Sequence, residues 1–251
     1  ALIWARADGK KTLSLRYFPA KGEKPVREVP GQKRQDGILH FELTGLEPGT
    51  AYEYRLLADG QPIKPLQNQR LTTKPLWKYR EPNAPDFRFA FGSCHYVTEP
   101  PYDRKGKPFG SGYEIFSTIA KDEPAFFLWL GDNVYLREAD WDSHYGIYAR
   151  YAHTRALLQS QAFFAALPQF AIWDDHDFGP NDASRSYTLS AVSTQAFKDY
   201  WPDFNYPAEG LYRSFVWGDA EFFLLDNRSF RTPATRPGAT ILGSRQKTWL
   251  V

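Results

Sequence analysis

The chain has 251 residues and a formal net charge of only +2, from 31 basic against 29 acidic residues, so no overall field draws it to nucleic acid or an anionic bilayer. An aromatic content of 17%, with eight Trp, suits packed globular domains and excludes a long low-complexity segment. No apolar run approaches the ~20 residues of a membrane helix, no signal-peptide pattern opens the chain, and the single cysteine, Cys94, excludes an intrachain disulfide. Methionine is absent, position 1 included, which reads as a processed or trimmed chain.

Residues 1–75 predict a small β-sandwich. Short strands run over Leu2 to Arg6, Thr12 to Phe18, Ile38 to Leu43 and Thr50 to Ala58, with Gly, Pro, Lys and Asp turns between them. The Lys-rich run from Lys21 to Arg34 reads as a solvated loop. Leu46-Glu-Pro-Gly-Thr-Ala-Tyr52 resembles the E–F corner of fibronectin type III domains, and Trp4 suits their inter-sheet tryptophan. In such a corner the Tyr52 hydroxyl bonds back to upstream backbone. His40 falls in this region and reads as structural. Pro75, Pro82 and Pro85 among charged residues place a linker at 76–86.

From Phe87 the pattern changes to buried strands alternating with helices, an α/β layer architecture over 87–251. Ser111 to Glu114 fits a capping box opening a helix through about Ile119. Residues 143–166 predict one or two helices ending before Pro168, and Ala191 to Tyr200 predicts another. Four apolar runs end abruptly in polar clusters: Phe87–Phe91 into Gly-Ser-Cys94-His95, Phe126–Leu130 into Gly-Asp132-Asn, Gln169–Trp173 into Asp174-Asp-His-Asp177, and Glu221–Leu225 into Asp226-Asn-Arg228. Ligands of open α/β sheets bind beyond the carboxyl ends of strands, so these endings predict one shared crevice.

The Asp174–Asp177 cluster is the sharpest of these signals. Three carboxylates and an imidazole in sequence repel one another unless a cation or solvent offsets them, and a buried strand feeds the cluster. Carboxylates and imidazole suit divalent or trivalent metals, and the Cys94 thiolate adds a soft ligand appropriate to iron or zinc. Asp132 follows a Gly that lets the backbone bend sharply; a loop-capping role fits it as well as a ligand role. Tyr135 alone reads as a core or rim tyrosine, although a phenolate can bind ferric iron. His95 reads as a loop histidine, and His144 and His153 as packed or surface histidines. Arg137 could hold a phosphate bidentately or pair with Glu138 or Asp140, while Arg228 beside Asp226 reads as a brace shaping the site.

Phe89-Ala-Phe-Gly-Ser-Cys94, Leu130-Gly-Asp-Asn-Val-Tyr135, Trp173-Asp-Asp-His-Asp177 with Asn181, and Leu225-Asp-Asn-Arg228 resemble the PhoD-like alkaline phosphatases, in the same order. Leu242-Gly-Ser-Arg-Gln246 before Trp249-Leu250 resembles that family's LG…Q…WL segment, and the family also carries an N-terminal fibronectin-like domain. The resemblance implies an all-β sandwich followed by an α/β domain of the layered αββα metallophosphatase type. It implies metal ligands at Cys94, Asp132, Tyr135, Asp175 and Asn181, and His176 as the acid, with Asp177 accepting from its ring. Arg137 and Arg228 are carried as substrate contacts. Iron and calcium are the metals implied, with zinc and manganese left open. The family motif ends in Glu where this chain has Asp177, and its later Gly-Asp-x-His segment does not occur before Val251, so the C-terminal part of the catalytic domain is expected to be missing. The implied activity is metal-dependent hydrolysis of phosphate esters by an exported protein, periplasmic or secreted. The rival readings are a nuclease- or phospholipase-type diesterase and a non-catalytic, metal-stabilised surface binding protein.

Overall fold

Alternating apolar positions build the N-terminal strands into two antiparallel sheets. A computed structural model describes residues 1–7, 12–21, 26–64, 69–81, 83–100, 102–103 and 105–251. One sheet orders β1 (Leu2–Arg6), β5 (Ile38–Glu42) and β4 (Gln32–Lys33) as β1-β5-β4. The other runs β3 (Arg27–Pro30), β2 (Leu13–Pro19), β6 (Ala51–Ala58) and β7 (Gln61–Pro62), with β8 (Arg70–Thr72) also on β6. Leu13, Leu15 and Tyr17 of β2 point inward to meet Leu39 and Phe41 of β5 and Tyr52 and Tyr54 of β6. Ser14 and Arg16 point outward to Glu28, the period-2 alternation of a half-buried strand.

Tyr52 forms the expected corner, its hydroxyl accepting from the Glu47 amide at 2.8 Å. Two expectations fail. The 21–34 stretch is not simply a loop, because β3 and β4 lie in it: β3 completes a ladder with β2, and Val29 packs against the core. Residues 22–25 of that stretch lie outside the described residues. Trp4 does not fill the space between the sheets. It pairs in register with His40 on the opposite face of the β1–β5 sheet, where its indole N–H donates to the Asp199 carbonyl at 3.0 Å.

The second layer holds a parallel sheet ordered β11-β10-β9, from β9 (Ala90–Gly92), β10 (Phe127–Leu130) and β11 (Gln169–Ile172). The fourth apolar run forms a separate antiparallel hairpin, β12 (Arg213–Trp217) with β13 (Ala220–Leu224). Aromatic rings join the two sheets: Phe170 stacks on Phe215 at 3.8 Å, and Phe126 meets Phe222 edge-on at 5.2 Å. Helices α2 (His144–Arg155), α3 (Leu158–Ala166) and α5 (Ser190–Tyr200) cover the 143–166 and 191–200 predictions. The short α4 (Asp175–Phe178) and the terminal α6 (Gly243–Leu250) add to them. The helix α1 (Ile115–Lys121) starts later than expected. Glu114 itself is its N-cap and Ser111 sits at φ 54°, so the Ser111–Glu114 box does not form. Among the described residues no helix is long and apolar enough to cross a membrane.

The two layers meet along β5 and α5. Four consecutive β5 residues are buried, with Leu39 and Phe41 facing the first core and Ile38 and His40 facing the other way. His40 Nε2–H donates to the Asp199 carbonyl at 2.7 Å while Nδ1 accepts from Arg34 at 3.2 Å. Arg155 lies over the Trp4 and Trp201 rings at 5.1 and 4.2 Å. Burial holds His40 below its ordinary pKa of 6.5, although the Asp199 carbonyl opposes that shift. A proton on Nδ1 would face the Arg34 guanidinium. Because the folded pKa is depressed, the stabilisation is complete above the unfolded value and is lost as pH falls below it. The unfolding midpoint should therefore drop as pH is lowered from 6.5 toward 5, and part of that slope should disappear in His40→Gln, measured by thermal denaturation across pH.

Candidate metal centre

Three parallel strands end side by side, and each releases one polar cluster at the same edge. Beyond β9, Cys94 takes φ 61°; beyond β10, Gly131 and Asp132 take φ 98° and 52°. Two non-glycine residues in the left-handed region, Cys94 and Asp132 on neighbouring loops, are a cost that the surroundings must hold in place. Here the loops do so by bonding to each other: Cys94 N–H donates to Gly131 O at 3.1 Å and His95 N–H to Asp132 O at 2.8 Å. Gly131 is required, since a Cβ there would stand 2.8 Å from the Asp174 Cβ.

The third cluster is laced to the second through Asp177. Its carboxylate is fully buried and accepts from the amides of Asn133 at 2.9 Å, Val134 at 3.2 Å and Asp174 at 3.0 Å. His176 O accepts from Leu136 N–H at 3.0 Å. Burial and the neighbouring Asp132 charge push the Asp177 pKa up, against the pull of its three amide bonds. Asp177 thus fixes the loop that carries Asp132 to Tyr135. It does not accept from the His176 ring, whose Nδ1 is buried with no hydrogen-bond partner among the described residues. The expected orienting role is corrected, because backbone amides already occupy both Asp177 oxygens.

At the centre, Asp132, Asp175 and His176 each offer a ligand atom, all within 4.8 Å of one another. The Cys94 thiol lies 3.8 Å from Asp132 Oδ2, and Tyr135 lies beside both residues. Burial pushes Asp132 up, and the Asp175 and Asp174 charges add to this while His176 opposes it. Asp175 feels burial in the same direction, but the Asp182 amide at 2.6 Å and Arg228 outweigh it and hold it low. Burial, with Cys94 and Asp132 beside it, raises Tyr135. Asp132 Oδ1, like His176 Nδ1, is buried without a hydrogen-bond partner among the described residues. Two orphaned polar atoms beside converging carboxylates and a thiol match the donor set of a cation site, since such groups are otherwise costly to bury.

The remaining predicted residues fall around this centre in different ways. Asn181 is exposed and its Nδ2 donates to Asp182 at 3.0 Å, one residue from the amide that holds Asp175. Arg228 is the brace that the sequence suggested, but its partner is Asp174, bonded by Nε at 2.6 Å and by Nη2; Nη1 donates to Ala183 O at 3.2 Å. With its fork occupied, Arg228 is corrected from a substrate contact to a support for the acidic loop. Arg137 is corrected too: it bonds Asp103 at 2.9 Å, Glu99 at 3.3 Å and Val97 O at 3.0 Å, and neither Glu138 nor the phosphate role is available to it. Asp140 instead accepts the Arg137 amide and pairs with Arg150. His95 packs against Phe116 and Trp129, where burial lowers its pKa to about 4. His144 stacks on Tyr148, and His153 lies by Arg150.

Sequence reasoning missed Asn227, which donates to Asp174 at 2.8 Å, and Tyr96, whose ring meets Tyr135. Asn227 was within reach, as it lies inside the Asp226-Asn-Arg228 cluster; nothing local marked Tyr96.

The PhoD-like phosphatase family matches residues 89–251, which include all of this centre. The chain belongs to that family. A solved structure of PhoD is similar to 99% of the chain with a TM-score of 0.76 and 23% identity, a likeness that shows a shared fold of mixed sheets and helices; the chain spans 56% of that protein's length. The catalytic module of the pneumococcal glycogen-degrading virulence factor SpuA is 11% identical over 82% of this chain and 38% of its own. The GBS pullulanase SAP is 9% identical over 82% and 34%. Both give TM-scores of 0.22, too low for any argument about a PhoD-like chain. No curated protein matches it in sequence.

Proposed function

We propose that this chain carries the metal-binding half of a PhoD-like phosphatase site and hydrolyses phosphate esters without a covalent intermediate. One observation carries the reading: Asp132, Asp175 and His176 converge within 4.8 Å at the ends of parallel strands, with buried donor atoms left unpaired. In this reading Cys94, Asp132, Tyr135 and Asp175 hold the cations, and Asn181 contributes from the rim. Ferric iron and calcium follow from the family resemblance, zinc or manganese being alternatives, and such cations would polarise the phosphoryl oxygens and supply the attacking water. Asp174 keeps Arg228 and Asn227 engaged, so that Asp175 presents its carboxylate to the centre. Residues 1–75 are taken as a fibronectin type III-like module and the protein as exported, both on resemblance.

His176 then protonates the leaving oxygen. Its ring is fixed against Tyr135 at 4.4 Å, and its Nδ1 has no hydrogen-bond partner among the described residues. General acid catalysis contributes about 10²–10⁴-fold, and most where the leaving group is a poor one. His176→Asn should therefore slow hydrolysis of an alkyl phosphate by roughly that factor and that of p-nitrophenyl phosphate far less. An equal loss on both esters, accompanied by loss of bound metal, would make His176 a ligand instead. Parallel rates on a matched monoester and diester decide the substrate class.

A further inference from the structure

We propose that Tyr96 is a positioning residue for Tyr135, clamped by an ion cluster on the Arg137 side; this rests on reading the neighbouring centre as a phosphoesterase site. Two rings bear on Tyr135. His176 lies 4.4 Å away at a 30° tilt, and Tyr96 meets it edge-on at 5.0 Å and 61°. Tyr135 lies beside Cys94 and Asp132 and packs on His176, so the angle of its ring sets where its hydroxyl points relative to the centre.

Tyr96 is itself over-determined. Its hydroxyl donates to Asp103 Oδ1 at 2.7 Å, the Arg137 guanidinium lies 5.0 Å over its ring, and Phe109 packs on its edge at 5.0 Å. Arg137 bonds Asp103 and Glu99, Glu99 pairs with Arg150 at 2.7 Å, and Arg150 pairs with Asp140 at 2.7 Å. The Glu99 amide donates back to Asp103 at 2.6 Å. Half-buried ion clusters of this kind repay little of their desolvation cost in stability, and what they fix is geometry. Here the fixed object is an aromatic ring against a candidate ligand. The same bonds engage both terminal nitrogens of Arg137 with Glu99, Asp103 and the Val97 carbonyl.

The test compares Tyr96→Ala, Tyr96→Leu and Tyr96→Phe. Metal-free protein labelled with 3-fluorotyrosine gives a fluorine signal for Tyr135, assigned through Tyr135→Phe. Removing the Tyr96 ring should shift and broaden that signal, whereas Tyr96→Phe, which keeps the ring and its Arg137 contact, should leave it near wild type. Titration with ferric iron should show weaker binding and a displaced phenolate-to-iron absorption band in the Ala and Leu variants. The loss in affinity should be about 10–100-fold, as for other partners that orient a metal ligand. A cooperatively folded Ala or Leu variant with an unchanged Tyr135 signal overturns the positioning role. If wild-type protein binds no iron and cleaves no ester, the functional reading falls while the metal-free fluorine signal still decides what Tyr96 does.

Discussion

Asp132→Asn should remove bound metal and lower kcat/KM on a phosphate ester by roughly 10³-fold or more, since loss of even an outer partner of a ligand costs 10–100-fold. The substitution is chosen for its backbone. Asp132 sits at φ 52°, a region that Asn tolerates as readily as Asp, so the strained turn should survive the exchange. What is lost is the charge on Oδ1, a buried atom with no hydrogen-bond partner among the described residues, and on Oδ2, which faces the Cys94 thiol. The metal-free fold should respond in the opposite sense. Burial, reinforced by Asp175 and Asp174, raises the Asp132 pKa, so the native state binds this proton more tightly than the unfolded chain does. Stability then falls as pH rises from the ordinary carboxylate value through the raised one. In Asp132→Asn that decline should flatten, and the apo protein at neutral pH should be no less stable than wild type. Metal analysis, turnover and urea unfolding with and without chelator separate the two effects. A variant that keeps its metal and activity sinks the ligand assignment, and one that unfolds without metal makes Asp132 structural.

The sequence showed where the centre would form because two kinds of local information coincide there. Apolar runs such as Phe126–Leu130 and Gln169–Trp173 announce buried strands, and the polar residues that follow must then lie at strand ends. Parallel pairing does the rest by aligning those ends, and so Asp132 and Asp175 meet although they lie 43 positions apart, with Cys94 beside Asp132. Tyr52 was legible for a similar reason, as its partner is the Glu47 amide only five residues away. The failures concern partners at long range. Trp4 faces Asp199 rather than the inter-sheet core, a choice made by α5 and invisible in the β1 pattern. Arg137 had acidic neighbours in sequence at Glu138 and Asp140, but Glu99 and Asp103, more than thirty positions upstream, supply its carboxylates. Asp177 looked like an orienting group because it adjoins His176. On the four-residue turn of α4, however, its side chain points back to the amides of Asn133, Val134 and Asp174.

Asp226→Ala should cost about 4 kcal/mol or more of folding stability, and its reason lies in the one carboxylate that ties the hairpin to the site. Asp226 is fully buried and accepts from the Trp173 indole at 2.7 Å, the Leu211 amide at 2.8 Å, and the Arg228 and Ser229 amides at 3.0 Å each. Each donor left unpaired in the interior costs about 1–3 kcal/mol, and Ala leaves four. The backbone already presses close on this carboxylate: a Cβ at Gly210, which sits at φ 79°, would stand 2.8 Å from Asp226 Oδ2. Water entering the space would recover part of the loss, which is why the estimate takes the low end of that sum, about 4–12 kcal/mol. Trp173 precedes Asp174 and Arg228 is the residue that braces Asp174, so the two chains anchored by Asp226 are the two that meet at the acidic loop. Urea unfolding should show a lower midpoint with an unchanged slope, and the remaining folded protein should bind metal more weakly as Arg228 loses its hold on Asp174. Asp226→Asn keeps one accepting oxygen but turns an NH₂ toward an amide donor, and it should fall between wild type and Ala. A loss under about 1 kcal/mol in Asp226→Ala would show that the indole and the three amides find other acceptors, and that the hairpin holds its place by the Phe170–Phe215 stack without this carboxylate.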